Sequence, residues 1–272
     1  MPKVPRYPGL LALYILTIVT YRSRYEYYKM YSCPNVDNGG CLVVKDYSLY
    51  SGERQTGVTL DEIRYDHLAR YIFAGETIRN IKKRSLSILD VFTGTGYGAF
   101  HLGNSLKGTV VVYGIDGSKE AIDFANEHYT LPNIFFCYKL FPFVLPTQAY
   151  DAITCFESLE HVEDDDSLLE EIIKSIKPSG LLFISTPNEA IQSLDNNPNK
   201  FHIRHYLHKH AIEKITQKGM DLLSWYGQNV YTFVDGYTQG TLLSNQEMDL
   251  KKDVEGQFNI YLFQKISKKF AG

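Results

Sequence analysis

The chain has 272 residues, 44% hydrophobic and 22% charged, with a formal net charge of −3. That is enough for one large α/β domain with a full core, or a core with a small cap, and the composition is that of an ordinary soluble chain. No basic excess is available to hold a long phosphate backbone, so nucleic acid is disfavoured as a partner. The cysteines Cys33, Cys41, Cys137 and Cys155 show no CxxC spacing, which argues against a zinc ribbon or a disulfide framework and favours a reducing, cytoplasmic compartment.

Residues 1–50 read as a Tyr-rich N-terminal extension ahead of a domain over 51–272. Within the extension an apolar run from Pro8 to Tyr21 is flanked by Lys3, Arg6, Arg22 and Arg24. It is shorter than a membrane span. A docking helix, a membrane-surface contact through residues 8–21, and extra sequence ahead of Met30 are its three open readings. Helical spacing follows over 60–81, with Ile63, Leu68, Tyr71, Ile72 and Ile78 among the apolar positions. "LSILDVF" is β-rich and runs into the glycine cluster "TGTGYGA".

From there strands and helices alternate. Strands are expected at 108–116, at "NIFFCY", at "YDAITCF", at 181–186, at "MDLLSWYG" and at "FNIYLFQKI". Helices are expected at 118–129 with Ser118 as cap, at 167–180 with Ser167 and Glu170 as a capping box, and at "HKHAIEKITQKG". Strands separated by helices imply a mostly parallel sheet covered on both faces. Residues 228–257 read as a polar loop or insertion.

The glycine cluster joins a strand to a helix. Gly94, Gly96 and Gly98 allow a sharp turn and close approach of a ligand, and the next helix start offers free N–H groups. Asp116 ends the following strand, where a carboxylate can accept both hydroxyls of a ribose. Gly94, Gly96 and Ala99 also fit G-x-G-x-x-A, so an NAD reading stays open at this point.

The segments "SILDVFTGTGYG", "VYGIDGS", "YDAITCFESLEHV" and "IKPSGLLFISTPN" follow one another at normal spacing. That series resembles class I S-adenosylmethionine-dependent methyltransferases over about residues 50–265. Upstream, "SGERQTGVTLDEIRYDHLARYIFA" resembles the lead-in of a bacterial subgroup associated with glycan and natural-product pathways, with a TGER-like motif and then His67, Leu68, Arg70 and Tyr71. The resemblance implies a Rossmann-like fold, α/β, with a seven-stranded sheet whose last strand is antiparallel. It also implies S-adenosylmethionine as cofactor. Asp90, Phe92, Thr93, Gly94, Thr95 and Gly96 would form the methionine side of its site, Asp116 and Gly117 the ribose side, and Arg70 would reach the methionine carboxylate. Phe92 stands where the first glycine of the usual loop would be, and the acid that commonly follows the third strand to contact adenine is missing from "CYKLFPF".

After "YDAIT", the residues Glu157, Glu160 and His161 stand at i, i+3 and i+4, which on a helical turn share one face. The strand's C-terminal end delivers them to the crevice where open α/β sheets bind ligands. Two carboxylates and an imidazole suit a divalent cation such as Mg²⁺, Mn²⁺ or Fe²⁺. His202 in "NKFHIRHY" is the expected fourth ligand, with His205 in reserve. ExxEH with a later His resembles the metal site of small-RNA 3′-terminal 2′-O-methyltransferases, and ubiquinone-pathway O-methyltransferases carry a similar motif. In those families the cation holds substrate hydroxyls beside the methyl donor. A metal-free reading gives Glu157 substrate orientation and His161 the part of general base. The run Glu163–Asp166 is expected to support the next helix start from solvent.

The expected reaction is methyl transfer from S-adenosylmethionine to a hydroxyl of a small polar molecule, a sugar or sugar derivative, with Glu157, Glu160, His161 and His202 as catalytic or cation-holding residues. The alternatives are metal-independent N-methylation of a small molecule, 2′-O-methylation of RNA ends, and a non-catalytic S-adenosylmethionine-binding partner subunit.

Overall fold

Period-two alternation of apolar residues places a core on each face of one sheet. In the computed structural model, which describes residues 48–236 and 238–267, the first strands and helices are α1 (Tyr65–Arg79), β1 (Leu86–Val91), α2 (Tyr97–Ser105), β2 (Val110–Asp116), α3 (Lys119–His128), β3 (Ile134–Tyr138) and β4 (Tyr150–Phe156). There follow α4 (Asp165–Ser175), β5 (Ile176–Pro187), α5 (His208–Thr216), β6 (Met220–Gln228), β7 (Tyr231–Phe233), β8 (Gln239–Leu242), β9 (Lys251–Lys252) and β10 (Phe258–Lys265). These residues belong to the unit Asp46–Gly272. The apolar run 8–21, Cys33, Cys41 and nearly all of the extension 1–50 lie outside the described residues. No helix among the described residues is long and apolar enough to cross a membrane. Cys155 is a buried free thiol.

The main sheet runs β3-β2-β1-β4-β5-β10-β6-β9. Strands β1 to β5 pair in parallel, while β10 is antiparallel to both β5 and β6. Every residue of β4 is buried, as a central strand covered on both sides requires. Leu89, Ile153 and Ile184 face one core with Leu168, Leu169 and Ile172 of α4. Their chain neighbours Ile88, Ala152 and Phe183 face the other, with Ala74 and Ile78 of α1 and Leu102 of α2.

The expected seven strands are present, and the two-residue β9 adds an eighth at the edge. The region 228–257 is not a plain loop. It holds β9 and the separate β7–β8 hairpin. The helix expected over 60–81 is a short 3-10 turn, Leu60–Glu62, followed by α1. The capping box at Ser167 and Glu170 does not form. α4 starts two residues earlier, capped by Asp164, whose side chain accepts the Ser167 N–H. Nor is the acidic run wholly solvated: Asp165 is buried, accepting from the Tyr206 hydroxyl at 2.6 Å and pairing with Arg204 and Lys214. Those partners stand between 39 and 49 residues downstream, which a local pattern does not reveal.

Asp90, at the end of β1, is fully buried and accepts three hydroxyls: Thr154 of β4 at 2.6 Å, Thr93 at 2.6 Å and Tyr71 of α1 at 3.0 Å. Burial lifts its carboxyl from 3.8 to about 6 against the pull of those hydrogen bonds, with Asp116 adding to the rise. The folded state therefore holds this proton more tightly than the unfolded chain. The resulting stability is complete below pH 3.8 and is lost as pH rises through about 6. Urea titrations from pH 4 to 7 should show this as a loss of roughly 2 kcal/mol, and Asp90→Asn should flatten that slope. A second test concerns Gly98. A Cβ there would sit 2.0 Å from the Tyr71 ring, so Gly98→Ala should lower the unfolding free energy by roughly 1–3 kcal/mol.

Candidate active site

The loop after β1 is shaped by two left-handed glycines, Gly94 at φ 57° and Gly96 at φ 90°. A Cβ on Gly94 would meet open space, so only its backbone conformation demands glycine. At Gly96 a Cβ would also lie 2.7 Å from Ala125 and Phe136. Phe92, half-buried at φ 56°, packs against Phe143. The Thr93 hydroxyl is spent on Asp90, and the Thr95 hydroxyl donates to the Gln55 carbonyl. Asp116 accepts the N–H groups of Gly94 and Ser118 at 2.9 and 2.8 Å. Arg54 adds an ion pair to it at 3.3 Å. Gly117 is held tightly, since a Cβ there would lie 2.9 Å from the Leu140 side chain.

Arg70 rises from α1 into the same crevice. It is 1% exposed, donates from Nε to Gln228 at 2.8 Å, and lies over the Phe258 ring. Its Nη1 has no hydrogen-bond partner among the described residues and stands 3.5 Å from Glu157 Oε1. A buried guanidinium with an idle donor fits the carboxylate of an amino-acid group such as the methionine part of S-adenosylmethionine. With the glycine loop and the acid after β2, the residues present fit that cofactor.

Glu157 lies just beyond β4 in the left-handed region, φ 46°, with the Ser185 hydroxyl donating to its carboxylate at 2.6 Å. It therefore leaves the helical turn that was expected to carry it beside His161. The turn itself, Leu159–His161, is 3-10. Glu160 is fully buried, and neither carboxylate oxygen has a hydrogen-bond partner among the described residues. Burial first, then the Glu157 charge, push its carboxyl well above the usual range.

His202 comes from the excursion between β5 and α5, which is closed at its neck by the Asn188–Tyr206 bridge. The Ile203 N–H donates to the Glu160 carbonyl at 2.8 Å, and His161 Nδ1 donates to the Phe201 carbonyl at 3.1 Å. These bonds bring His161 and His202 to a ring separation of 4.8 Å. Glu53, from the segment ahead of α1, reaches them: its Oε1 lies 3.2 Å from His161 Nε2 and 3.6 Å from His202 Nε2. Glu160 Oε1 lies 3.9 Å from His161 Nε2. One ligand atom from each of Glu53, His161 and His202 lies within 4.8 Å of the others.

Hydrogen-bond logic fixes the ring tautomers. A carbonyl only accepts, so Phe201 assigns the His161 proton to Nδ1, and Gln192, 2.6 Å from His205 Nδ1, does the same there. His205 Nε2 must then accept from His202 Nδ1 at 2.8 Å. Both Nε2 lone pairs consequently turn toward the Glu53 carboxylate. Acceptors converge in this way only around positive charge, supplied by ring protons or by a cation. With ring protons, burial would lower the His161 pKa, but the Glu53 hydrogen bond and the Glu160 charge outweigh it and raise it to about 9. Burial likewise opposes ionisation of Glu53, yet hydrogen bonds from His161 and His202 hold its carboxyl well below the usual range. A ring so protonated is a poor base near neutral pH.

Among the expected site residues, the structure gathers His161 and His202, sets Glu160 beside them, and turns Glu157 toward Arg70 and Ser185. Asp90 faces inward to hydroxyls, acting on the loop rather than lining its surface. Glu53 was not anticipated as a site residue. The signal available was its place in the TGER-like stretch, an acid and a base side by side ahead of the domain's first helix.

A family model described as a methyltransferase domain matches residues 82–236, more than half of the chain. The chain is 31% identical over 115 residues to a ubiquinone biosynthesis O-methyltransferase of Glaesserella parasuis, covering 39% of this chain and 47% of that protein. It is 33% identical over 119 residues to a namesake from Coxiella burnetii, covering 42% and 49%. The chain thus spans about half the length of these curated relatives. A solved S-adenosylmethionine dependent methyltransferase from Mesorhizobium loti superimposes with a TM-score of 0.55 at 15% identity, covering 74% of this chain and all of that one. That identity supports the shared fold alone. Glycine loop, acid after β2, strand order and family match agree, and the chain belongs to the class I S-adenosylmethionine-dependent methyltransferases.

Proposed function

We propose that this chain transfers a methyl group from S-adenosylmethionine to a hydroxyl of a small polar molecule, a sugar or sugar derivative, aided by a divalent cation held by Glu53, His161 and His202 with Glu160 alongside. The observation that carries the cation is the convergence of two Nε2 lone pairs on one carboxylate, each ring oriented from behind by a backbone carbonyl or by His205. Ligand atoms within 4.8 Å of one another span a cation whose ligand bonds are about 2.0–2.4 Å. Carboxylate and imidazole donors without thiolate suit Mg²⁺ or Mn²⁺. A hydroxyl acceptor is supported by the relatives named O-methyltransferases. A sugar is supported by the TGER-like lead-in and by the ability of a cation to gather vicinal hydroxyls.

S-adenosylmethionine supplies the electrophilic sulfonium methyl. The protein's part is positioning. Arg70 receives the carboxylate end through its idle Nη1, Gly94 and Gly96 let the loop backbone approach, and Asp116 accepts the ribose. Glu157, fixed by Ser185, stands between Arg70 and the histidine turn. A cation at the histidines would ease loss of the acceptor's hydroxyl proton.

Calorimetry on chelator-stripped protein tests this. S-adenosylhomocysteine should bind, Mn²⁺ should bind, and Glu53→Gln or His202→Ala should remove the Mn²⁺ heat. Methyl transfer to a panel of vicinal diols should then depend on added cation. Cofactor binding with no Mn²⁺ heat would defeat the cation and leave metal-free transfer, to an amine or a hydroxyl. Binding without transfer to any acceptor would favour a partner subunit. The support behind the rings gives a separate expectation. His205→Ala removes the acceptor for His202 Nδ1 and should weaken Mn²⁺ about 10–100-fold, with S-adenosylhomocysteine affinity unchanged in the same titrations.

A further inference from the structure

The acid expected to hold the cofactor ribose is already covered. Asp116 is 3% exposed, and the group lying on it is Arg54. A carboxylate offers about four acceptor positions. The Gly94 N–H, the Ser118 N–H and Arg54 Nη2 use three of them. Two ribose hydroxyls need two. Both can be seated only when Arg54 leaves.

Arg54 lies in a segment without helix or strand, residues 48–57, and reaches Asp116 at the C-terminal end of β2. Besides the side-chain pairings of Arg54 and Glu53, three of its anchors pair backbone with a side chain. The Leu49 N–H donates to Glu120 at 2.8 Å, the Thr95 hydroxyl donates to the Gln55 carbonyl at 2.8 Å, and the Tyr129 hydroxyl donates to the Gly57 carbonyl at 2.7 Å. Next to Arg54, Glu53 is seated among the histidines. The segment can thus lift without breaking a ladder or a helix, and such weakly built segments open at low free-energy cost.

We propose that residues 48–57 form a strap that lifts to admit the cofactor, with Arg54 as a plug on the ribose acid and Glu53 as the clasp on the histidine cluster. The clasp rests on the cation reading given above; the plug does not. A cation engaging Glu53 fastens the strap. Arg54 and the ribose compete for the same carboxylate, so the free protein's affinity for the cofactor is held below what the bare crevice would give.

The test is S-adenosylhomocysteine binding to the full chain, by calorimetry for affinity and surface plasmon resonance for rates, with and without Mn²⁺. Thermal melts of each variant confirm folding. Arg54→Gln removes the competing charge and should bind about fivefold tighter, with faster association. Equal or weaker binding would overturn the plug, since Arg54 would then be neutral or a contact of the cofactor. In the wild type, Mn²⁺ should slow dissociation of S-adenosylhomocysteine, and in Glu53→Gln it should not. Mn²⁺ that binds yet leaves the dissociation rate unchanged would overturn the clasp while leaving the cation reading standing. Absence of Mn²⁺ binding would overturn the cation reading and the clasp together, and the Arg54 arm would still decide the plug.

Discussion

A carboxyl group sealed from water must find donors inside the protein, and Asp90 finds them on three separate elements. The Thr154 bond ties β1 to β4, the Thr93 bond bends the chain back at the start of the glycine loop, and the Tyr71 bond pulls α1 down onto the sheet. The Tyr71 ring then lies so close to Gly98 that α2 can start there only with glycine. The next residue back along α1 is Arg70. Tyr71 docks on Asp90, and Arg70 turns toward Gln228 and Phe258 on the strands at the other side of the crevice. One buried acid thus sets the loop that forms the floor of the cofactor site and the helix that forms its wall.

Glu157 separates two unfinished sites. On one side Arg70 Nη1 has no hydrogen-bond partner among the described residues, and on the other both oxygens of Glu160 have none. An unmet buried donor or acceptor costs about 1–3 kcal/mol, more when charged. Folding alone gives no reason to keep an unused guanidinium donor in α1 and a buried carboxyl without hydrogen bonds in the turn after β4. Ligands of opposite sign supply the reason, an anionic group for the arginine and positive charge for the glutamate. This complementarity belongs to the interior of the molecule and stands apart from its near-neutral overall charge.

The sheet was legible because its strands are long, apolar and regularly spaced; the helix before β5 ends at Ser175, ahead of Pro178 and Gly180, which lie within the strand instead of stopping the helix. The glycine loop and Asp116 were legible as a spacing. Asp165 was not, since the Tyr206, Arg204 and Lys214 side chains that bury it come from a later part of the chain. Glu157 misled for a different reason. Placing it at i with Glu160 and His161 assumes α-helical turns, whereas the chain passes through a left-handed residue and a 3-10 turn, and the faces no longer coincide. His202 was reachable from chain order alone, because whatever follows β5 returns to the same edge. Glu53 was hidden because it stands more than 100 residues ahead of its partners, in a segment with no periodicity to place it.

The segment matched by the family model begins at residue 82, after α1. Arg70, Arg54 and Glu53 all precede it. The matched segment therefore holds β1 to β7, the glycine loop, the acid after β2 and the histidine turn, while β10, which pairs between β5 and β6, lies beyond its end. Glu53 beside the histidines, Arg54 on Asp116 and Arg70 beside Glu157 all come from the 34 residues 48–81. A likeness that stops short of those residues carries over the chemistry of the donor more securely than the identity of the acceptor.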